Sequence, residues 1–173
     1  LAMRGAGEIA YLAAMVRPQV GVITNIGESH VGRLGSRDAI ARAKAELLEF
    51  LPPDGCAVLH ADDFYFALLT ELAPCPVLSF GQAANAAVHP EQVVTHGLAG
   101  SEFLLATPSG RVPVRLQVPG RHNITNALGA AAAALGLGAD LEQIATGLGA
   151  YAGTPMRLQR VAGVGGCVLI NDA

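Results

Sequence analysis

Apolar positions recur at helical spacing over residues 8–16, and Arg17-Pro18 closes that helix because a residue before proline is pushed out of the right-handed α region. Residues 19–24 then form a short, β-branched run of the kind buried inside a sheet. Ser36 is a good N-cap with Asp38 in the first turn, opening a helix that runs to about Leu51, where Pro52-Pro53-Asp54-Gly55 turns the chain. Residues 56–60 predict a strand, 62–73 a helix and 76–80 a strand. Such alternation predicts a parallel, doubly wound sheet.

The texture then changes. Residues 89–96, 101–107 and 111–118 are short runs separated by Gly-Leu-Ala-Gly and Pro-Ser-Gly, which predicts an antiparallel meander inserted on the sheet rather than a separate domain. Helices resume over 121–135 and 140–150, followed by strands near 158–164 and 166–170. The fold class expected is α/β: a Rossmann-like, mostly parallel sheet with flanking helices plus a small antiparallel β meander at about residues 88–118.

Composition narrows the function. At 51% hydrophobic and 14% charged residues, with a mean hydropathy of +0.41, the chain is apolar for a soluble domain, and alanine supplies much of that. No apolar run reaches the roughly 18–20 residues a spanning helix needs, so no membrane span is expected. The net charge of −3 and the lack of a Lys/Arg cluster argue against a nucleic-acid partner and for a small molecule. Cys56, Cys75 and Cys167 are widely spaced in apolar, strand-like contexts, and are expected as buried thiols in a reducing cytoplasm rather than a disulfide or zinc framework. Both ends of the sequence read as cut from something longer.

Candidate chemistry gathers after the first strand, at the carboxyl end where open α/β sheets bind nucleotides. Thr24-Asn-Ile-Gly-Glu-Ser-His30 lies there. Lys44 falls four residues after Ile40 and three before Leu47, inside the apolar stripe of the Ser36 helix, with Arg42, Glu46 and Glu49 off it. A lysine there either snorkels its amine to the rim or serves a site, because burying a bare ammonium is costly. His30 is either a solvated loop histidine or a metal ligand, with Glu28 and Asn25 offering oxygens nearby; magnesium prefers oxygen, so a histidine ligand needs carboxylate-like company. In Gly120-Arg-His-Asn-Ile-Thr-Asn-Ala-Leu128, Asn123 and Asn126 share one face of a first helical turn. Their amides suit the edge of adenine and the helix N-terminus favours an anion, unless one asparagine is simply an N-cap. Arg157 and Asp172 are either surface charges or members of the same site. The chain contains no Gly-x-x-x-x-Gly-Lys-Ser/Thr phosphate loop.

In this order, the segment from Met3 to Ile9, Thr24 to His30 with Gly35-Ser36 and Ala43-Lys-Ala-Glu46, Gly120 to Leu128, and Arg157 with Asn171-Asp172 resemble the ATP-dependent Mur ligases of bacterial cell-wall synthesis, and within them the branch that adds D-alanyl-D-alanine. The resemblance runs from about Met3 to Ala173 and implies one incomplete central ATP-binding domain over 1–173, lacking the phosphate-loop segment and the C-terminal domain. It implies ATP and Mg2+ as cofactors, His30 as a metal ligand, and Lys44 as a lysine that becomes carbamylated and so turns from a cation into an oxygen ligand. Asn123 and Asn126 match asparagines around the nucleotide, with Asn25 nearby. Arg157 matches an arginine at the ATP phosphates and Asp172 an aspartate at the hinge to the next domain. His30, Lys44 and Arg157 are the catalytic candidates. The implied partners are ATP, UDP-N-acetylmuramoyl-tripeptide and D-alanyl-D-alanine, and the implied location is the bacterial cytoplasm. Two departures stand out: Val31-Gly32 replaces a usual Leu-Glu pair, and Met156 replaces a usual glycine before Arg157. Without its phosphate loop this chain alone is expected to be inactive. The alternatives are another ligase of the superfamily, such as the diamino-acid-adding enzyme or a folylpolyglutamate synthase, and a non-catalytic module of the same fold.

Overall fold

A computed structural model describes residues 3–29 and 31–172 of the chain. Helix α1 (Glu8–Val16) buries Ile9 and Ala13 and ends at Arg17, whose amide bonds back to the Ala13 carbonyl before Pro18 prevents further winding. Strand β1 (Val20–Ile23) follows, then a short helix α2 (Val31–Leu34), helix α3 (Arg37–Ala45), strand β2 (Cys56–His60), helix α4 (Phe66–Leu72) and strand β3 (Val77–Phe80). The three strands are parallel in the order β1-β2-β3, with Val20 opposite Cys56 and His60 opposite Phe80.

Alternation along these strands feeds two cores, because successive side chains point to opposite faces. Ile23, Ala57 and Leu59 pack with Ile9, Ile40, Leu48 and Leu69 on one face. Val58 and Phe80 pack with Leu128, Ala131 and Ala132 of α5 (Arg121–Gly136) on the other. The alanine-rich composition has its reason here: a Cβ on Gly129 would stand 3.2 Å from the Phe80 ring, so small residues let α5 lie directly on the sheet.

Strands β4 (His89–Thr95), β5 (Ser101–Thr107) and β6 (Gly110–Leu116) form the antiparallel meander in that spatial order. Pro90 and Pro113 sit on its two outer strands, where a missing donor does least harm. Val88 bridges in parallel to Phe80, and Phe103, Leu105, Val114 and Leu116 join the core beneath α5, so meander and sheet share one interior. Asp140 caps α6 (Leu141–Ala150) through a reciprocal bond pair with Gln143. Strands β7 (Gln159–Ala162) and β8 (Val168–Asn171) pair only with each other among the described residues.

Two expected helices are shorter than their patterns. The one opened by Ser36 stops at Ala45, and a tighter 3-10 turn over Leu48–Phe50 seats Leu48 and Leu51 under the sheet before Pro52. The one expected from residue 62 begins at Phe66, because Asp63 spends its carboxylate on the Tyr65 amide in a turn.

Candidate functional site

Lys44 reaches the site from α3, where Ser36 Oγ accepts the Ala39 amide and Ile40, Ala41, Ala43 and Ala45 are buried. Its half-buried amine donates to the Asn25 carbonyl at 2.6 Å, at the carboxyl end of β1. The side chain thus snorkels, but onto backbone rather than into open solvent. Burial lowers the lysine pKa below its ordinary value, and the charge of Asp63 pulls it partly back.

The loop after β1 is held at further points. The Ile26 amide donates to Asp63 Oδ2 at 2.7 Å, and the Ile26 carbonyl accepts Arg37 Nη2 at 3.0 Å. Arg37 also lies 5.7 Å over the Tyr65 ring, whose hydroxyl donates to Asp38 at 2.6 Å. Glu46, two residues beyond Lys44, accepts the Gly7 and Ala10 amides at 2.7 and 3.1 Å and caps α1 from a distance. His30 lies outside the described residues. Among those residues no group of three or more His, Cys, Asp or Glu side chains gathers as a metal site.

At the start of α5 the N-cap reading is corrected. The cap position is Gly120, at φ 99, with no side-chain cap bond. Asn123 instead donates to the Pro119 carbonyl at 2.7 Å, and Asn126 donates to Asn123 Oδ1 at 3.3 Å, so both asparagines belong to one chain of hydrogen bonds. Asn126 lines two clefts. The first, about 430 Å³, lies over the sheet end and includes Thr24, Asn25, His60 and His122. The second, about 500 Å³, is an apolar groove between α5 and α6 that ends at Tyr151.

His60 closes β2 at the first cleft, stacked 5.0 Å from the Phe80 ring, with Nε2 3.5 Å from Asp62 and a buried Nδ1 that has no hydrogen-bond partner among the described residues. Sequence reasoning passed over His60, Asp62 and Asp63, and placed Glu46 off the apolar stripe without a partner. A histidine and two aspartates at the carboxyl end of a buried strand were a signal, absorbed into a helix pattern that began too early.

Arg157 is exposed, and Met156 and Leu158 on either side of it have φ of 63 and 48. Left-handed backbone costs about 1–2 kcal/mol per non-glycine residue, which explains why glycine suits the position of Met156. Asp172 Oδ1 accepts the Leu158 amide at 3.2 Å, so the hairpin brings Asp172 next to the Arg157 segment. No hydrogen bond among the described residues ties either to Lys44 or to the asparagines.

A family model described as the Mur ligase middle domain matches residues 1–134. The chain belongs to the Mur ligase family. It is 38% identical over 174 residues to the UDP-N-acetylmuramoyl-tripeptide--D-alanyl-D-alanine ligase of Mycobacterium tuberculosis (strain H37Rv), covering 100% of this chain and 34% of that protein. It is also 38% identical over 164 residues to the UDP-N-acetylmuramoyl-L-alanyl-D-glutamate--2,6-diaminopimelate ligase of Geobacter sulfurreducens, covering 90% of this chain and 32% of that protein. A crystal structure of MurF from Acinetobacter baumannii superposes with a TM-score of 0.93 at 36% identity, covering 99% of this chain and 37% of the other. The chain spans about a third of the length of the curated Mur ligases it matches.

Proposed function

We propose that this chain is the central, nucleotide-binding part of an ATP-dependent ligase that joins D-alanyl-D-alanine to UDP-N-acetylmuramoyl-tripeptide in bacterial peptidoglycan synthesis. The observation that carries the reading is the agreement of 99% of the chain with a MurF structure at a TM-score of 0.93. In this reaction a peptide carboxylate attacks the γ-phosphorus of ATP and ADP leaves. The amine of D-alanyl-D-alanine then attacks the acyl carbon, and inorganic phosphate and a proton depart.

The residues of the site suit parts of that task. Asn126 stands between an apolar groove and the cleft over the sheet end, which suits a base on one side and phosphates on the other. The N-terminus of α5 favours the anion. Arg157 and Asp172 are read, from the family resemblance, as the phosphate and hinge residues. The cysteines are free, with Cys56 and Cys75 partly buried and Cys167 exposed where a buried thiol was expected, and no helix among the described residues is long and apolar enough to cross a membrane.

Magnesium meets a mixed donor set. As an ammonium, Lys44 does not fit a cation shell; as a carbamate it is an oxygen donor and does. Carbamate forms when a neutral amine attacks CO2 and loses a proton, and the lowered pKa of Lys44 favours that amine. Bound magnesium would spread the phosphate charge. Of the two ligands that the resemblance implies, His30 and Lys44, Lys44 lies among the described residues.

The full-length ligase is expected to release phosphate only when D-alanyl-D-alanine and the tripeptide nucleotide are both present. The 38% identity to a diaminopimelate-adding ligase favours one rival. Phosphate release with a diamino acid and the dipeptide nucleotide instead would move the assignment there.

A further inference from the structure

The turn between β2 and α4 carries two adjacent aspartates whose carboxylates face different neighbours. Asp63 Oδ2 accepts the Ile26 amide at 2.7 Å, on the loop after β1, while its Oδ1 accepts the Tyr65 amide at 2.9 Å and so fixes its own side chain. Asp62 Oδ2 accepts the Gln82 amide at 2.6 Å, on the loop after β3. Gln82 in turn donates from Nε2 to Thr125 Oγ1 at 2.9 Å, on the same turn of α5 as the asparagines.

The Asn25 carbonyl and the Ile26 amide belong to one peptide unit. Lys44 holds its oxygen and Asp63 holds its N–H, so a cation and an anion grip the two ends of a single dipole. Ile26 itself is 1% exposed, which prevents the peptide from rotating away. Because β2 is the central strand, the turn after it lies between the two neighbouring loops, and consecutive side chains reach one each.

We infer that Asp62 and Asp63 are a pair of positioning residues that set the two halves of the site independently: Asp63 the Lys44 loop, and Asp62 the nucleotide side through Gln82 and Thr125. The inference rests on the ligase reading for the reaction but on geometry alone for the clamp. Misplacing a reacting group by about 1 Å can cost on the order of 10²-fold in rate. The two carboxylates therefore have separable kinetic signatures.

The test uses the full-length ligase with Asp63→Ala, Asp62→Ala and the milder Asp63→Asn, which keeps one acceptor oxygen. Asp63→Ala is expected to lower kcat on the order of 10²-fold with KM for ATP unchanged, and Asp63→Asn to lie between it and the wild type. Asp62→Ala is expected to raise KM for ATP by about tenfold while kcat changes little. Hydrogen exchange, read alongside thermal unfolding, should show the Ile26 amide losing protection in the Asp63 variants and the Gln82 amide in Asp62→Ala, with the rest of the sheet protected. Equal effects of both alanine variants on kcat and KM, or an unchanged kcat in a folded Asp63→Ala whose Ile26 amide exchanges freely, would overturn the inference. Wild-type ligase silent with D-alanyl-D-alanine and the tripeptide nucleotide would overturn the proposed reaction alone. The clamp would then stand or fall on the Ile26 and Gln82 amides, free exchange of either in the wild type overturning it.

Discussion

At the carboxyl end of the parallel sheet, Lys44, Arg37, Asp63 and Glu46 each bond to backbone groups of another segment. On the meander, Arg111 meets Glu91 at 3.0 Å through both Nε and Nη2, Arg115 lies 3.4 Å from Glu102, and His89 and His96 flank those same carboxylates. Both sets are built on charged side chains, yet one orders loops and the other pairs across a solvated face. A charge bonded to backbone removes freedom from a segment that has no ladder of its own. An exposed pair spans strands already fixed by their ladder, and gains little.

Lys44→Ala breaks the first region most severely. Phosphate release by the full-length ligase is expected to fall on the order of 10²-fold or more. Mass spectrometry of the wild type should find the mass of one CO2 on Lys44; an active alanine variant would remove Lys44 from the chemistry. Leu105→Ala probes whether the two regions are separate at all. Leu105 is fully buried in the meander, and its truncation should cost about 2–5 kcal/mol. Because sheet and meander share a core, hydrogen exchange should quicken in β1–β3 as well as β4–β6; faster exchange confined to the meander would mean two independent units.

Glu46→Ala and Arg111→Ala then measure the contrast itself. Removing Glu46 leaves two N-terminal amides of α1 without their carboxylate and should cost about 1–2 kcal/mol, with faster exchange at Gly7 and Ala10. Arg111→Ala should leave the unfolding temperature unchanged. The hydrogen bonds from Arg111 hold the Glu91 carboxyl below the usual carboxylate range. A depressed acid stabilises the fold above its unfolded value, so whatever this pair contributes is present at neutral pH and disappears as pH falls through the depressed value. If the two substitutions cost the same in an unfolding titration, the distinction between backbone-bonded and paired charges fails.

Where the local pattern was strong, sequence and structure agree closely. Helix α1 and strands β2 and β5 have the expected bounds, Ser36 caps α3, and the meander has its three strands in place. Where a polar side chain chose a distant partner, the pattern misled. Asp63 falls inside the helix expected from residue 62 but bonds to Ile26 on the loop after β1. Lys44 was legible as an oddity, an amine in an apolar stripe, but its partner was not. The short helix α2 lacked periodicity enough to be seen.

The sequence by itself determined the alternation of strands and helices, the insertion of an antiparallel block, and the family to which the ordered motifs belong. All of these rest on local spacing, side-chain alternation and turn chemistry, which a linear chain displays openly. Only the tertiary structure decided that Lys44 and Asp63 grip the same peptide, and that Asp62 links to α5 through Gln82 and Thr125. Those partners lie 19 to 43 residues apart, brought together by packing helices on both faces of a three-stranded sheet, and no local propensity encodes which distant backbone group a charged side chain will find.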